Sequence, residues 1–169
     1  MLNPVPKGSW RDVLVERLHT MGHRNWIVIA DSAYPLQVAE GIETTRTGAH
    51  HEHVLEETLE AIDQSPHVRP IVHLDAELPH LTEQYAPGID AYREQLDRIL
   101  HGHHTQSRPH EDIIADLDEA GKTFDILVLK TNLTLPYTSV FLQLDCGYWS
   151  EETETELRQS IEKAGGSSA

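Results

Sequence analysis

Four side chains of this sequence carry groups that exchange protons or orient groups that do. They are His23, Asp31, His110 and Tyr137. The first two stand at the ends of one apolar run in the stretch MGHRNWIVIADSAYP, residues 21–35. Histidine exchanges protons near neutral pH, and a carboxylate or phenol can orient it or hold a polar ligand. The pattern therefore indicates general acid–base chemistry.

These residues also have purely structural interpretations. His23 follows a predicted helix, where an imidazole interacts favourably with the helix dipole. Asp31 could cap the next turn, and Tyr137, directly after Pro136, could be a packed loop anchor. Spacing alone leaves both interpretations open.

Histidine is frequent, with 12 residues among 169. Two clusters stand out: His50, His51 and His53, and His101, His103, His104 and His110. Imidazole is a common zinc ligand, but the sequence has no H-E-x-x-H, and the segment HHEH has no matched third ligand. We therefore expect no metal and interpret these side chains as solvated, titrating surface histidines. A histidine-dependent metalloenzyme is kept as the less favoured alternative.

Signatures of other reaction classes are absent from the sequence. It has no G-x-x-x-x-G-K-[ST], no G-x-G-x-x-G after a strand and no G-x-S-x-G. Their absence argues against nucleotide-dependent chemistry and against acyl transfer of the α/β-hydrolase type.

Composition limits the partners of the protein. The net charge of −15 repels nucleic acid and anionic membranes but is indifferent to a neutral ligand. The hydrophobic fraction of 38% is low, which suggests that a partner subunit completes part of the core. The N-terminal residues MLNPVPKGSW lack the apolar segment of a signal peptide, and no window approaches the roughly 20 apolar residues of a membrane span. We expect a cytoplasmic protein, without an internal disulfide because Cys146 is the single cysteine.

The apolar periodicity predicts helices that alternate with strands. Helices are predicted from an N-cap at Ser9 to Met21, over residues 50–62 and 87–100, from near Pro109, and from Ser150. Strands are predicted over residues 25–30, 71–74, 124–130 and 139–144. Residues 101–109 are predicted as a connection, and residues 34–50 as a loop-like segment in which Val38 and Ile42 could sit in short ordered pieces. This order predicts a single α/β domain over residues 1–149 with helices on both sheet faces. Residues 150–169 are predicted as an acidic helix that ends in the frayed tail GGSSA, residues 165–169.

The first strand raises a geometric problem for the acid–base pair. Ligands of such folds gather at the carboxyl ends of strands, where Asp31 stands. An extended strand from His23 to Asp31 spans roughly 20–25 Å. Both side chains can then serve one small site only across a subunit interface, or if the chain around Gly22 folds back.

Two motifs give the sequence a resemblance to a known family. The stretch at residues 21–35 resembles the opening motif of the D-ribose pyranase and L-fucose mutarotase (RbsD/FucU) family: a helix, Gly-His, a buried strand, an Asp and a Pro four residues later. The residues that match this motif are Gly22, His23, Asp31 and Pro35. The stretch LPYTSVFLQLDCG resembles the C-terminal motif of the family, with Tyr137 at the tyrosine position.

Weaker matches and departures complete the resemblance. Arg46 and Gly48 resemble an Arg and a Gly before the second helix of the family, and His110 in RPHED is matched with a histidine of the ribose branch. Ser139 stands where the family usually has Asn, so one hydroxyl replaces an amide. The segment 78–135 is longer than usual, and the acidic helix after Trp149 extends beyond the usual terminus.

The resemblance implies a fold and an assembly. The fold would be a three-layer α/β/α domain with a mixed, mostly parallel sheet. Members form ring-shaped homo-oligomers, typically decamers, whose sites lie near subunit contacts. The separation of His23 from Asp31 then becomes an argument for oligomerisation.

The resemblance also implies mutarotation of a free monosaccharide without a cofactor. His23 would be the principal general acid/base, Asp31 would orient it or hold a sugar hydroxyl, and Tyr137 would bind the sugar and relay a proton. His110, Ser139 and Arg46 would contact the sugar. The alternative is a non-catalytic sugar-binding or assembly protein on the same fold, which the serine at position 139 favours slightly.

Overall fold

The computed structural model describes residues 9–166, which form five α-helices, six β-strands and a short 3-10 helix at Leu78–His80. The helices are α1 (Trp10–Thr20), α2 (His51–Asp63), α3 (Ile89–Ile99), α4 (His110–Ala120) and α5 (Glu151–Gly166). The strands are β1 (Trp26–Ala30), β2 (Ile42–Arg46), β3 (Val68–Asp75), β4 (Thr105–Arg108), β5 (Ile126–Lys130) and β6 (Val140–Cys146). The predicted N-cap of α1 is confirmed, because the Ser9 hydroxyl accepts a hydrogen bond from the Asp12 N–H at 3.4 Å.

The strands form one sheet in the order β2-β5-β1-β6-β3-β4. Strand β6 runs antiparallel to its neighbours β1 and β3, and the other neighbouring pairs are parallel. The mixed, mostly parallel sheet is therefore confirmed. Its arrangement brings the carboxyl ends of five strands to the same edge as the start of β6.

Helices cover both faces of the sheet, which confirms the three-layer α/β/α architecture. Helices α1, α2 and α3 pack on one face, and α4 packs on the other. Strand β1 lies in the middle, and all five of its residues are buried. A continuous apolar run is what a strand covered on both faces requires.

The face under α4 is only partly covered. The apolar side chains of α4 pack over β2, β5 and β1 and against Phe141 of β6, and only the start of α4 lies against the end of β3. On the rest of this face, a cavity of about 750 Å³ is lined by Arg69, Ile71, Gln143 and residues from the start of α5. Helix α5 itself has no buried side chain.

Two strands lie in segments that the sequence predicted as connections. β2 and β4 are the edge strands of the sheet, and Ile42 is the only buried residue of the two. Polar strands lack the apolar signal on which the prediction rested. The segment of β4 was therefore wrongly interpreted as a connection, and that of β2 as loop-like with at most a short ordered piece at Ile42.

The C-terminal helix is longer than predicted. α5 includes Gly165 and Gly166, which the sequence assigned to a frayed tail, whereas residues 167–169 lie outside the described residues. The division into residues 1–149 and 150–169 stays a prediction. Within residues 9–166 no helix is both long and apolar enough to cross a membrane.

Candidate functional site

Polar side chains converge at the edge of the sheet where the parallel strands end. Asp31 directly follows β1, Asp75 is the last residue of β3, and Ser139 directly precedes β6. His110 begins α4, two residues beyond the end of β4. Since β6 lies between β1 and β3, the topology places these four residues beside one another.

Asp31 and Ser139 form a close pair at this edge. The Ser139 hydroxyl donates to Asp31 Oδ1 at 2.7 Å and accepts from the Asp31 backbone N–H at 3.2 Å. The other oxygen, Oδ2, accepts from the Ala33 N–H at 3.3 Å, so Asp31 also caps the following turn. Ser139 is only 3% exposed. Its hydroxyl therefore orients Asp31 from behind.

Tyr137 lies in a turn that leads into β6 and is held by hydrogen bonds of the next residue. Its backbone has a φ of 56°, a left-handed conformation that non-glycine residues rarely adopt. The next residue holds the turn: the Thr138 hydroxyl donates to the Leu135 carbonyl, and the Thr138 carbonyl accepts from the Tyr92 hydroxyl, each at 2.6 Å. The Tyr137 side chain stays 42% exposed. The turn thus presents a phenol at a fixed position.

His110 is paired with a buried carboxylate. Its Nδ1 lies 2.9 Å from Oδ1 of Asp75, and its ring meets that of Tyr137 edge-on at 5.7 Å between centroids. Burial raises the pKa of Asp75 to about 6, although the hydrogen bond with His110 opposes the shift.

The sequence analysis missed Asp75, although a signal for it was present. The segment IVHLD repeats the pattern of IVIAD, in which an apolar strand ends at an aspartate. Because β1 and β3 are parallel members of the same sheet, both aspartates reach the same edge.

These groups surround a cleft of about 550 Å³. It is lined by residues 31–35, residues 134–137 and His110. The structure thus brings together three of the predicted site residues, Asp31, His110 and Tyr137, with Ser139 directly behind Asp31. The cleft has the size of a small-molecule site and contains a carboxylate, an imidazole and a phenol.

A buried histidine supports the same edge from inside the core. His51 is 1% exposed; its Nδ1 lies 3.0 Å from the Thr131 hydroxyl, and its Nε2 lies 3.2 Å from the Tyr92 hydroxyl. Burial lowers the pKa of His51 to about 4, against a hydrogen bond with the Thr138 backbone that raises it. His51 is therefore a neutral core residue, and its interpretation as a solvated surface histidine is wrong.

His23 lies at the opposite edge of the sheet. It occupies a tight turn before β1, in which Arg24 has a φ of 79°. Its Nδ1 lies 3.0 Å from Asp145 Oδ1, near the end of β6, and its side chain is 58% exposed. His23 lines the 750 Å³ cavity, together with Arg69 and Trp149. Within one chain, the structure does not bring His23 to Asp31.

Arg46 lies apart from the cleft. It ends the edge strand β2, its register partner in β5 is Lys130, and its side chain is exposed. β2 is separated from β1 by β5, and Arg46 is not among the residues that line the cleft. Its predicted contact with a substrate has no support from this geometry.

The histidine clusters do not assemble a metal centre in the described part of the chain. Among residues 9–166, no group of three or more His, Cys, Asp or Glu side chains is placed to hold a metal ion. The His50 and His53 rings lie 6.0 Å apart, centroid to centroid. Catalysis without metal stays a prediction.

Comparison with known proteins gives matches by fold and none by sequence. No protein-family profile matches the chain, and no curated protein matches it. Solved structures that match include RbsD from Bacillus subtilis complexed with D-ribose, which is 19% identical with a TM-score of 0.53. That match covers 86% of this chain and 94% of the other.

Two further solved structures match over similar lengths. FucU from Bifidobacterium longum is 20% identical, with a TM-score of 0.53 over 83% of this chain and 98% of the other. The fucose mutarotase from Streptococcus pneumoniae, in complex with L-fucose, is 19% identical, with a TM-score of 0.54 over 85% and 98%. The resemblance to the D-ribose pyranase and L-fucose mutarotase family is therefore confirmed at the level of the fold, which this chain shares with RbsD and FucU proteins.

Proposed function

We propose that this protein is a monosaccharide mutarotase, which interconverts the anomers or ring forms of a free sugar without metal or cofactor. Two solved structures of the same fold hold D-ribose and L-fucose. Both sugars are neutral, so the net charge of −15 would not repel such a substrate.

The observation that carries the proposal is the composition of the 550 Å³ cleft. Asp31, His110 and Tyr137 line it together. Mutarotation needs one group that removes the proton of the anomeric hydroxyl and one that protonates the ring oxygen. It also needs hydrogen-bonding groups that hold the sugar hydroxyls. In this proposal Asp31 and Tyr137 hold hydroxyls, His110 contacts the sugar, and Ser139 acts through Asp31.

His23 would reach the cleft of a second copy of the chain and not the cleft of its own. It lies at the edge of the sheet opposite the cleft, in its own cavity beside a part of the sheet that α4 leaves uncovered. A second copy that docks on this surface would cover it and bring its cleft to His23. We therefore propose a homo-oligomer, a ring by family resemblance, in which His23 of one copy is the general acid/base at the cleft of another.

The test is saturation-transfer NMR on a panel of reducing sugars that includes ribose and fucose. The experiment saturates the anomeric signal of one form and follows transfer of saturation to the other. We expect transfer above the spontaneous rate in protein-free buffer for at least one sugar. Spontaneous rates across the whole panel would contradict the proposal.

The geometry of Ser139 favours one second candidate, a non-catalytic sugar-binding protein. Its buried hydroxyl is engaged by Asp31 and does not offer the amide that the family usually has at this position. A protein of this kind would broaden sugar signals or bind sugar in calorimetry without speeding exchange. The same NMR samples therefore separate the two candidates. The cytoplasmic location and the absence of nucleic-acid partners stay predictions.

A further inference from the structure

His110 is held in place through its backbone and its ring. Its backbone N–H donates to both carboxylate oxygens of Glu77, at 3.1 and 3.2 Å. Its Nδ1 contacts Asp75 Oδ1 at 2.9 Å, and its ring packs edge-on against Tyr137 and Phe141. The backbone, one ring nitrogen and the ring plane are therefore all constrained. A binding residue that only touched a sugar hydroxyl would not need a buried carboxylate behind it.

Asp75 is unusual among the carboxylates of the chain. Its side chain is fully buried, and its Oδ2 has no hydrogen-bond partner among the described residues. A buried carboxylate with an unsatisfied oxygen destabilises the fold unless another group compensates for it. The compensating contact in the structure is the one with His110. Buried polar groups that destabilise the fold concentrate at functional sites. The Asp75–His110 pair therefore indicates a functional role.

The contact with Asp75 also determines which nitrogen of His110 is free. Above pH 6, where Asp75 is ionised, its carboxylate accepts hydrogen bonds only, so Nδ1 must carry the proton that it donates. In the neutral ring, Nε2 then has a lone pair. No residue between 9 and 166 is hydrogen-bonded to Nε2, and the side chain is 28% exposed and lines the cleft. This nitrogen is available to a ligand.

We infer that His110 is a proton-transfer residue of the cleft and that Asp75 is the positioning residue that fixes its tautomer. The inference rests on the proposed function, in which His110 only contacts the sugar. It assigns to this chain one half of the acid–base pair, while His23 of a second copy supplies the other.

The proton transfers balance in this arrangement. Nε2 of His110 takes the proton of the anomeric hydroxyl, and the electron pair of that O–H bond becomes the second bond of the C1 carbonyl. The bond from C1 to the ring oxygen breaks, and its electron pair goes to the ring oxygen, which takes a proton from His23. After rotation about C1–C2, the same transfers in reverse close the ring and restore both histidines.

The experiment compares Asp75→Asn with the matched control Asp97→Asn, which removes a carboxylate at an exposed position of α3. NMR exchange at several sugar concentrations gives kcat and KM. Nitrogen-15 spectra of the histidine rings give the tautomer of His110. We expect Asp75→Asn to lower kcat about 10²-fold, the scale of a general acid/base contribution, with little change in KM. We expect wild-type His110 to carry its proton on Nδ1 and to lose that preference in Asp75→Asn. Asp97→Asn should match the wild type in both measurements.

His110→Gln is the second variant, in case Asp75→Asn does not fold. Its side chain is partly exposed, so we expect it to fold and to show the same loss of kcat. Full exchange activity in His110→Gln, or in a folded Asp75→Asn, would overturn the inference and leave the proposed function intact. Failure of the wild type to exchange any sugar would overturn the proposed function, and the catalytic role of His110 with it.

Discussion

Ser139 and Asp31 are linked by two hydrogen bonds, because the serine hydroxyl donates to Asp31 Oδ1 and accepts from the Asp31 N–H. The pair joins the end of β1 to the start of β6 across neighbouring antiparallel strands. It fixes the direction of a carboxylate that lines the cleft. Ser139 thus has a defined structural role, because its buried hydroxyl orients the carboxylate of Asp31.

The first prediction concerns this pair. Ser139→Ala leaves the Asp31 carboxylate and N–H without their partner. We expect a loss of about 1.5–3 kcal/mol in the free energy of unfolding, the range for a hydrogen bond to a charged group. We also expect a loss of about tenfold in sugar exchange, equivalent to about 1.4 kcal/mol of transition-state stabilisation. Urea unfolding and exchange NMR measure the two effects.

Ser65→Ala is the matched control for that variant. The Ser65 hydroxyl donates to the neutral Ala61 carbonyl at 2.8 Å, away from the cleft. Its removal should cost about 0.5–1.5 kcal/mol of stability and leave exchange unchanged. Equal effects of the two variants on exchange would show that the Ser139 hydroxyl has no special role.

The second prediction concerns His23. His23→Ala should lower anomer exchange by roughly 10²–10⁴-fold, the usual contribution of a general acid/base. Folding should survive, because the pair that the exposed His23 makes with Asp145 contributes only about 0.2–1 kcal/mol, and Asp145 keeps its ion pair with Arg69. The measurements are exchange NMR and thermal unfolding, with His101→Ala as an exposed-histidine control. A His23→Ala protein that is folded, oligomeric and fully active would mean that the motif at residues 21–35 has only a structural role.

The third prediction tests whether two copies share a site. Neither His23→Ala nor Asp31→Asn should be active alone, since each removes one component of every site. Coexpressed, the two variants should form mixed oligomers in which about one quarter of the sites between copies are intact, if assembly is random. Exchange activity of the mixture should therefore exceed that of either variant alone. Light scattering that shows a monomer, or mixed oligomers without recovered activity, would contradict the shared site.

Much of the fold was predictable because burial leaves a strong pattern in the sequence. β1 and β5 are continuous apolar runs between two helical layers, and both were predicted. The edge strands β2 and β4 were missed because they are mostly polar and their existence depends on pairing with β5 and β3. Pairing partners far along the chain leave no local signal.

The site was predictable only in part, for similar reasons. Asp31 and Tyr137 were recognised from local motifs, but Asp75 matters through a contact with His110, 35 residues away. His51 was misread as a surface histidine because it stands in the polar segment HHEH. Its spacing to Leu55, Leu59 and Ile62 puts it on the buried face of α2, a helical pattern that would have indicated its position.

The fourth prediction concerns pH and His51. Its pKa lies at about 4 in the folded chain and near 6.5 when unfolded. The unfolded chain therefore binds more protons between these values, so His51 should make stability fall as pH falls from 6.5 towards 4. The full effect is on the order of 3 kcal/mol. Urea unfolding of His51→Gln at fixed protein concentration should lose this contribution to the pH dependence, whereas His101→Gln should keep it. An unchanged pH profile in His51→Gln would contradict the prediction.

The fifth prediction has the opposite sign and concerns Asp75. Its pKa is about 6 when folded and near 3.8 when unfolded, so the folded chain binds more protons between these values. The contribution of Asp75 to stability is present below pH 3.8 and is lost as pH rises through 6, by an amount on the order of 3 kcal/mol. The charged groups that act on it are His110 from α4, Glu77 from the turn after β3 and Asp31 from the end of β1.

Asp75→Asn should remove this loss, because an amide does not ionise. Its free energy of unfolding should therefore rise relative to that of the wild type as pH increases from 4 to 6. Its exchange activity should be lower than that of the wild type. The control Asp97→Asn should keep the wild-type dependence on pH, since that carboxylate is exposed. Urea unfolding at fixed protein concentration and exchange NMR on the same samples measure both effects. A variant that loses stability and activity together at every pH would show that Asp75 serves the fold alone. A gain in the free energy of unfolding together with a loss of exchange activity would instead show that Asp75 destabilises the fold and serves to position His110.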